Sequence, residues 1–429
     1  MPDNIIPFIE RAKRDKASTF EIFNKTLVRL PPEIGELTDI DTLRLRNVTV
    51  QTFPPEIGQL SSLTTLLLED VRGLEELPPE IGNLSNLRFI SIKRAPDLRR
   101  LPDRFGELTN LYKLEIEDAP LTTLPRAFGQ LSGLRELWLS WVPLTHLPDT
   151  LEGLTHLKTI NMAGAKLSTL PHSIGTLSNL TQLNISYTPL KTLPSTIGQL
   201  NSLADLHITH APLQTLPAEI GDLSQLSYLL LTNTRLTELP AEIKNLKQLS
   251  MLSIIEAPLE TLPAEIGHLE GLSTLIISGT PLKRLPQAIG QLQNLERLHI
   301  QKTEVGAFPP EIGDLKRLRR LEVRNCRLQT LPKEIGHLSE LDALNLEENQ
   351  LHEIPSSFIG LKTLRDLNLS HNHLTRIPTV IGELPNLRYE NDEERKRFYL
   401  LPNRFEDWPE GVSETDYGIF TWLMGNHKM

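Results

Sequence analysis

The residues that most often perform catalysis are not arranged in this sequence as the known motifs require. No part of the 429-residue chain matches G-x-x-x-x-G-K-[ST], H-E-x-x-H, C-x-x-C or a G-x-G-x-x-G that follows a strand. Those patterns hold phosphates, zinc, redox centres and dinucleotides. The only cysteine, Cys326, cannot form an internal disulfide, which fits a reducing compartment. We therefore expect a protein that is not an enzyme and binds no cofactor.

Two histidine pairs come closest to a metal-ligand pattern. His207 and His210 would need a third ligand such as Asp205, and no cysteine lies near them; such a set is weak compared with known zinc sites. The H-N-H sequence at residues 371–373 places its asparagine in a column of the repeat described next, so the repeat explains it. The sequence predicts no metal site.

These side chains must be positioned by a repeat that fills most of the chain. The unit reads L-x-x-L-x-L-x-x-(A/T/V/N)-x-L-x-x-L-P-x-x-I-G-x-L-x-x, and its first position recurs every 23 or 24 residues from Ile40 to Leu364. Alternation at positions 4 and 6 indicates a short strand with an inward face. Leu-Pro then turns the chain, and the Ile-Gly segment favours a short helical or 3₁₀ return. Stacked units would share one apolar core.

The repeat resembles the leucine-rich repeats. L-P-x-x-I-G-x-L recurs nearly unbroken, for example as LPPEIGNL at Leu77–Leu84 and LPAEIGHL at Leu262–Leu269. It is most similar to the short class found in Ras-suppressor-like proteins, plant Ras-group proteins and bacterial effectors. The resemblance implies an α/β solenoid, a horseshoe with a parallel sheet on its concave face and short helical or 3₁₀ segments on its convex face. It also implies that the usual activity is binding another protein.

One column departs from that family. Asparagine usually occupies position 9, where its amide ties successive turns together, yet here only Asn349 and Asn372 do so. Alanine, valine and threonine fill most other turns, and Cys326 fills one, where a small buried residue is expected rather than a nucleophile. Alanine and valine cannot bond the backbone, so those turns need other solutions. Proline frequently follows at position 10, a turn more typical of the bacterial effector repeats.

Positions 2, 3, 5, 7 and 8 of each unit are expected on the exposed concave face. Phenylalanine mostly replaces core leucine, whereas every Trp and Tyr inside the repeats falls at these exposed positions. The candidate protein-binding residues are Tyr112, Trp138, Trp141, Tyr187, His207, His210, Tyr228, Leu230, Ile255 and Ile276. Exposed aromatic clusters are the usual chemistry of protein-binding hot spots. Packing across neighbouring strands, with no partner, is the alternative.

Charge on the same face is segregated. Basic residues Arg44, Arg46, Arg88, Lys93 and Arg94 precede acidic Glu115, Glu117 and Asp118, and Arg319, Arg320, Arg324 and Arg327 face Glu347 and Glu348. Such patches would steer a partner, or they are simply solvated. The formal net charge of −10 disfavours nucleic acid and anionic lipid as partners. No membrane span or secretory signal is predicted, so we expect a cytoplasmic protein, in the host cytosol if it is a secreted effector.

The two ends differ from the array. Residues 1–16 have the spacing of an amphipathic helix that would cap the first repeat. The repeats, about 16 units, are expected over residues 17–389. Residues 390–429 are rich in aromatics and predict a C-terminal cap, with a partner-binding tail as the alternative.

The sequence therefore predicts a non-enzymatic interaction module or scaffold that binds a partner protein on its concave face, with a bacterial effector among the candidates. An alternative is a targeting subunit of a ubiquitin ligase or signalling enzyme whose catalytic part lies elsewhere. A spacer that binds nothing is a third. The partner and the oligomeric state stay open.

Overall fold

Each repeat forms a short parallel strand, a tight turn, an extended segment and, in nearly every unit, a five-residue 3₁₀ helix. The computed structural model describes residues 3–389 and 397–426. The chain divides into two units, Met1–Leu213 and Gln214–Met429. Each is described separately below.

The first unit begins with helix α1, Ile6–Arg14, whose Ile9 is buried. Nine strands follow: β1 Thr19–Thr26, β2 Thr42–Thr49, β3 Thr65–Arg72, β4 Phe89–Lys93, β5 Lys113–Glu117, β6 Glu136–Ser140, β7 Thr159–Asn161, β8 Gln182–Asn184 and β9 Asp205–Thr209. The 3₁₀ helices are Pro32–Glu36, Pro55–Gln59, Pro79–Asn83, Asp103–Glu107, Arg126–Gln130, His172–Thr176 and Ser195–Gln199.

The described part of the second unit contains eight strands: β10 Tyr228–Thr232, β11 Met251–Ile255, β12 Thr274–Ser278, β13 Arg297–Gln301, β14 Arg320–Arg324, β15 Ala343–Asn345, β16 Asp366–Asn368 and β17 Phe398–Tyr399. Its 3₁₀ helices are Ala218–Asp222, Ala241–Asn245, Ala264–His268, Gln287–Gln291, Pro310–Asp314, Lys333–His337, Ser356–Gly360 and Thr379–Glu383. Helix α2, Asp416–Asn426, ends the described chain.

Within each unit the strands pair in parallel with the next repeat. In β5 and β6, for example, Leu114 lies opposite Leu137 and Glu115 opposite Trp138. Position 4 and position 6 residues point inward and are buried, whereas positions 3, 5 and 7 form the strand face, the side of the sheet that carries the polar and aromatic residues. The phenylalanines expected in the core, such as Phe105 and Phe128, are fully buried. Because every strand has the same register, residues at one repeat position stand side by side.

The turn after each strand depends on a left-handed residue at position 8. This turn column comprises Asn24, Asn47, Asp70, Arg94, Asp118, Trp141, Gly164, Tyr187 and His210 in the first unit, and Asn233, Glu256, Gly279, Lys302, Asn325, Glu348 and His371 in the second, with φ between +49° and +81°. The geometry lets the N–H of Trp141 donate to the carbonyl of Ala163 at 2.7 Å and that of Tyr187 to Thr209 at 2.6 Å. The left-handed turn therefore extends the inter-repeat hydrogen bonds by one residue.

The Leu-Pro and Ile-Gly motifs build the side opposite the strands. The proline is extended and immediately precedes the 3₁₀ helix, as at Pro217 with φ −68° and ψ 155°. Proline suits this place because its fixed φ is compatible and no donor is lost. The glycine is required by close approach: a Cβ on Gly221 would lie 2.4 Å from the carbonyl oxygen of Glu242 in the next repeat.

The segment after residue 389 adds one more strand to the sheet. Strand β17 pairs with β16, Leu367 opposite Phe398, which is a step of 31 residues where the array otherwise steps by 23 or 24. Asn403 then donates to the carbonyl of Leu369 at 2.9 Å and accepts from the N–H of Leu374 at 3.0 Å. These are the contacts of a position 9 asparagine, which Asn372 makes one turn earlier, and the boundary at 389 stays a prediction. Residues 390–396 lie outside the described part.

The two asparagines recognised at position 9 make the full set of bonds expected of that column. Asn349 donates to the carbonyls of Val323 and Leu346 and accepts from the N–H of Leu328. Asn372 repeats the pattern one unit later and accepts from Leu351. In the turns that have alanine at position 9, the side chain has no atom that can make these hydrogen bonds.

Candidate functional site

A group of exposed aromatic rings in the first unit lies on the turn column. Trp141 is 54% exposed, and its ring lies over Gly164, the next residue of the column. A Cβ on Gly164 would lie 2.4 Å from Cε3 of that ring, so the glycine leaves the space that the indole occupies. The ring then meets Tyr187 with centroids 5.5 Å apart.

Tyr187 and His210 complete the group. Their rings stack at 4.3 Å with planes 7° apart, and Tyr187 is 46% exposed. The three rings of Trp141, Tyr187 and His210, called here the aromatic cluster, cover four successive turns. One tilted and one stacked contact hold each ring against its neighbour, and part of each residue stays exposed.

Trp138 and Tyr112 are held by neighbours on the same strand face. Trp138 is half-buried in β6, its Nε1 donates to Glu136 at 3.2 Å, and the ammonium of Lys113 lies 5.3 Å from its ring centroid. The guanidinium of Arg135 lies 5.5 Å from the ring of Tyr112. Cross-strand packing and cation–π contact account for much of their placement.

The remaining candidates lie in different places. His207 is half-buried within β9, opposite Asn184 of β8, whereas His210 lies beyond the strand end and stacks on Tyr187. In the second unit Tyr228 is exposed and lies opposite Met251, while Leu230 and Ile276 flank the small Ser253 across three strands. Ile255 is half-buried at the end of β11. The structure therefore shows one stacked group in the first unit and one aliphatic strip in the second.

The candidate metal and nucleophile residues are arranged for other purposes. Among residues 3–389 and 397–426, no three His, Cys, Asp or Glu side chains are grouped so that they could hold a metal ion. The thiol of Cys326 is buried beside the hydroxyl of Thr303, 3.2 Å away, and burial raises its pKa. Such a thiol ionises poorly and is a weak nucleophile. His373 lies next to Arg404 at 3.0 Å, beyond the turn that Asn372 ties together.

The charges of the strand face are largely matched between adjacent repeats. Arg94 bonds Asp70 at 2.7 Å and Glu69 at 2.7 Å, and its hydrogen bond holds the pKa of Asp70 below its usual range. Lys93 reaches Glu115 at 2.8 Å, and Arg324 reaches Glu347 at 2.6 Å. Exposed pairs of this kind add little stability, but they neutralise most of the patches that the sequence suggested.

Sequence reasoning missed the left-handed turn column, although a signal was present. Asn47, Asn233 and Asn325 share position 8 with Gly164 and Gly279, and asparagine and glycine are the residues that adopt φ > 0 most readily. Recurrence of these two types in one column would have identified the turn. The column also holds Trp141 and Tyr187, for which the same backbone is costly.

The comparisons with known proteins identify the family. The sequence profile described as a leucine-rich repeat region matches residues 143–223, 213–324 and 309–391. This chain belongs to the leucine-rich repeat family. The predicted architecture, a parallel sheet with short 3₁₀ helices, is confirmed. The comparison with curated proteins returned no match.

Solved structures of leucine-rich repeat proteins resemble the chain over most of its length. A leucine-rich repeat protein of Leptospira interrogans is 33% identical, with a TM-score of 0.73, over 89% of this chain and 98% of that one. The ectodomain of a plant membrane receptor kinase from Arabidopsis thaliana, in complex with CASPARIAN STRIP INTEGRITY FACTOR 2, is 28% identical with a TM-score of 0.56, over 87% of this chain and 50% of that one.

A third resemblance concerns the fold alone. The Toll–Spatzle complex of Drosophila contains a chain 22% identical with a TM-score of 0.73, over 86% of this chain and 52% of that one. Leucine-rich repeats generally mediate protein–protein interaction, and the family is typically non-enzymatic. No helix in the described ranges is long and apolar enough to cross a membrane.

Proposed function

We propose that this leucine-rich repeat protein is a non-enzymatic interaction module that binds a partner protein on its strand face and the adjoining turn column, with Trp141 and Tyr187 as anchors. The observation that carries the proposal is the pairing of bulky rings with a left-handed backbone in the aromatic cluster. Of the thirteen other described turns of this column, six use glycine or asparagine, which adopt that geometry most readily, and seven use charged residues or histidine. Side chains with a Cβ pay about 1 to 2 kcal/mol for it.

Packing within the chain covers only part of each ring. The ring of Trp141 rests on Gly164 and meets Tyr187, yet about half of each residue stays exposed. Trp and Tyr at such positions present rigid apolar surface with a polar edge, the type of surface that dominates binding energy at protein interfaces. Stacking also fixes the rings before binding, which lowers the entropy lost when a partner docks.

The aliphatic strip formed by Tyr228, Leu230, Met251, Ile255 and Ile276 is included in the proposal as contact surface, as are Tyr112, Trp138 and His207. Of these side chains, Tyr112 and Tyr228 are exposed and the others are half-buried, and they would add contact area rather than supply most of the energy. We infer a cytoplasmic location only from cysteine usage, since a chain with Cys326 as its single cysteine does not depend on internal disulfides.

The test compares capture by matched variants. Trp141→Asn with Tyr187→Asn keeps residues that tolerate φ > 0, so folding should survive while the rings are lost. Proteins crosslinked to the wild type in native lysate would be quantified by mass spectrometry against this double variant. We expect specific partners to fall by about thirtyfold, as for loss of a hot spot worth about 2 kcal/mol.

Phe23→Asn is the control, because Phe23 is 60% exposed and lies far along the chain, in β1. It should leave capture unchanged. Equal capture by the wild type and the double variant, with both folded by circular dichroism, would contradict the proposal.

The effector and targeting-subunit hypotheses stay predictions within this proposal, since each requires partner capture by the array. Similarity to a leucine-rich repeat protein of Leptospira interrogans over 89% of this chain supports the first. For the second, the catalytic part would lie on another chain or domain. If the purified protein alone transferred ubiquitin, it would be an enzyme. That result would contradict the effector and the targeting-subunit hypotheses in their non-enzymatic form.

A further inference from the structure

Two arginines stand side by side in the second unit. Arg297 of β13 and Arg320 of β14 are register partners on adjacent parallel strands, and both are exposed at position 3. Neighbouring strands lie about 4.8 Å apart. Like charges placed opposite each other in a sheet are destabilising, so packing gives no reason for this pair.

Neither arginine has a carboxylate within ion-pair distance in the described ranges, unlike other basic side chains on the strand face. Lys113 has Glu136 at 3.5 Å, and Arg324 has Glu347 at 2.6 Å. Glu322 is near Arg320 in β14, but its carboxylate is engaged by His299 at 3.0 Å. The guanidinium groups of the pair therefore have free donors.

The pair opens into a cleft of about 500 Å³ in the second unit. We call it the arginine cleft, lined by Arg297, Arg319, Arg320 and Arg365. Arg319 lies 3.6 Å from Glu340 and Arg365 lies 3.5 Å from Asp342, longer than a direct N–H···O bond. With Glu296 the lining holds three carboxylates. The lining therefore has four guanidinium groups and three carboxylates, so its formal charge is positive. The formal net charge of the whole chain is −10.

We propose that the arginine cleft binds an extended acidic segment of a partner protein, with one or more Asp or Glu side chains paired to Arg297 and Arg320. A guanidinium offers two parallel N–H donors that match a carboxylate. The cleft is elongated, since its lining comes from four repeats between residues 296 and 386. A segment can place its charges between the resident carboxylates, whereas a compact phosphate would meet their repulsion. The site is separate from the aromatic cluster and goes beyond the function proposed for it.

The test uses a fluorescein-labelled hexaglutamate peptide and fluorescence anisotropy with the full chain at low salt. Arg297→Gln with Arg320→Gln should weaken binding by about tenfold, the effect of two exposed ion pairs together. The matched control is Arg235→Gln with Arg284→Gln, which removes the same charge from exposed arginines of the same unit that do not line the cleft. This control should bind within twofold of the wild type.

Each other outcome overturns the proposal. Equal loss in both double variants would show general attraction by charge. Equal binding of a hexaglutamine peptide would show that carboxylates are not recognised. Displacement of the peptide by an equimolar amount of inorganic phosphate would indicate a small-anion site.

Two further readouts keep folding and the proposed function separate. The melting temperature of the Arg297→Gln and Arg320→Gln variant should equal or exceed that of the wild type, because like-charge repulsion is removed. The Trp141→Asn and Tyr187→Asn variant should bind hexaglutamate as the wild type does. Failure of the aromatic-cluster proposal would thus leave the cleft intact, and the reverse also holds.

Discussion

Asn349 offers the sharpest test of how successive turns are held together. Its side chain is 5% exposed. It donates to the carbonyls of Val323 at 2.7 Å and Leu346 at 3.0 Å, and accepts from the N–H of Leu328 at 3.2 Å. In Asn349→Ala the carbonyl of Leu346 keeps a partner, since Asn372 also donates to it at 2.9 Å. The N–H of Leu328 and the carbonyl of Val323 lose theirs.

The magnitude follows from those two groups. A buried polar group left without a partner costs about 1 to 3 kcal/mol, so the two groups orphaned in Asn349→Ala should lower the free energy of unfolding by about 2 to 6 kcal/mol. Urea denaturation followed by far-ultraviolet circular dichroism measures it, and hydrogen exchange should show faster exchange at the amide of Leu328.

Cys326→Ala is the matched control one turn earlier in the same column. Its thiol makes only weak hydrogen bonds, so we expect a loss of about 1 kcal/mol or less. The reasoning would be refuted if Asn349→Ala cost no more than Cys326→Ala, or if the amide of Leu328 exchanged at the wild-type rate.

Two further predictions concern pH and the aromatic cluster. Glu322 raises the pKa of His299 by a hydrogen bond, so their pairing stabilises the fold fully below the ordinary histidine value of about 6.5 and loses that contribution as pH rises through the raised pKa. In urea titrations the stability gap between wild type and His299→Gln should therefore narrow with rising pH; a gap that widens contradicts this. Gly164→Ala should destabilise the chain by about 1 to 3 kcal/mol and alter tryptophan fluorescence, because the new Cβ meets the Trp141 ring and φ is +81°. Gly279→Ala, where the nearest atom is the flexible Cγ of Glu256 at 3.2 Å, should cost less and leave fluorescence unchanged; similar spectra for the two variants would contradict the contact.

Much of the array was readable from periodicity, because positions 4 and 6 repeat the same burial in every unit. Leu114 and Leu137, for example, are opposite each other as the register required. The 3₁₀ return followed from the Leu-Pro and Ile-Gly motifs for the same reason. The periodicity of apolar residues is a strong signal when one face of each strand must be buried.

The parts that escaped sequence reading are those in which several residue types satisfy one geometry. Position 8 accepts Arg94, Trp141 and Glu256 as well as glycine, so composition hides its left-handed backbone. Strand β17 escaped because it follows a longer spacing than any other repeat. The pairing of Arg297 with Arg320 was missed because the net charge of the chain does not show which charged side chains form ion pairs in the folded protein and which do not.

The left-handed turn column also has a consequence for how such surfaces change. Its backbone geometry is held by hydrogen bonds from main-chain atoms, as at Trp141 and Ala163, and its side chains contribute nothing to the apolar interior. Glycine, charged and aromatic residues already occupy equivalent places. Substitutions in this column, by design or by evolution, could therefore change the side chain of one turn at a time. The neighbouring turns would keep their spacing. The column is a row of equivalent positions that hold different side chains on one scaffold, except where a neighbouring ring takes the space, as the Trp141 ring does at Gly164.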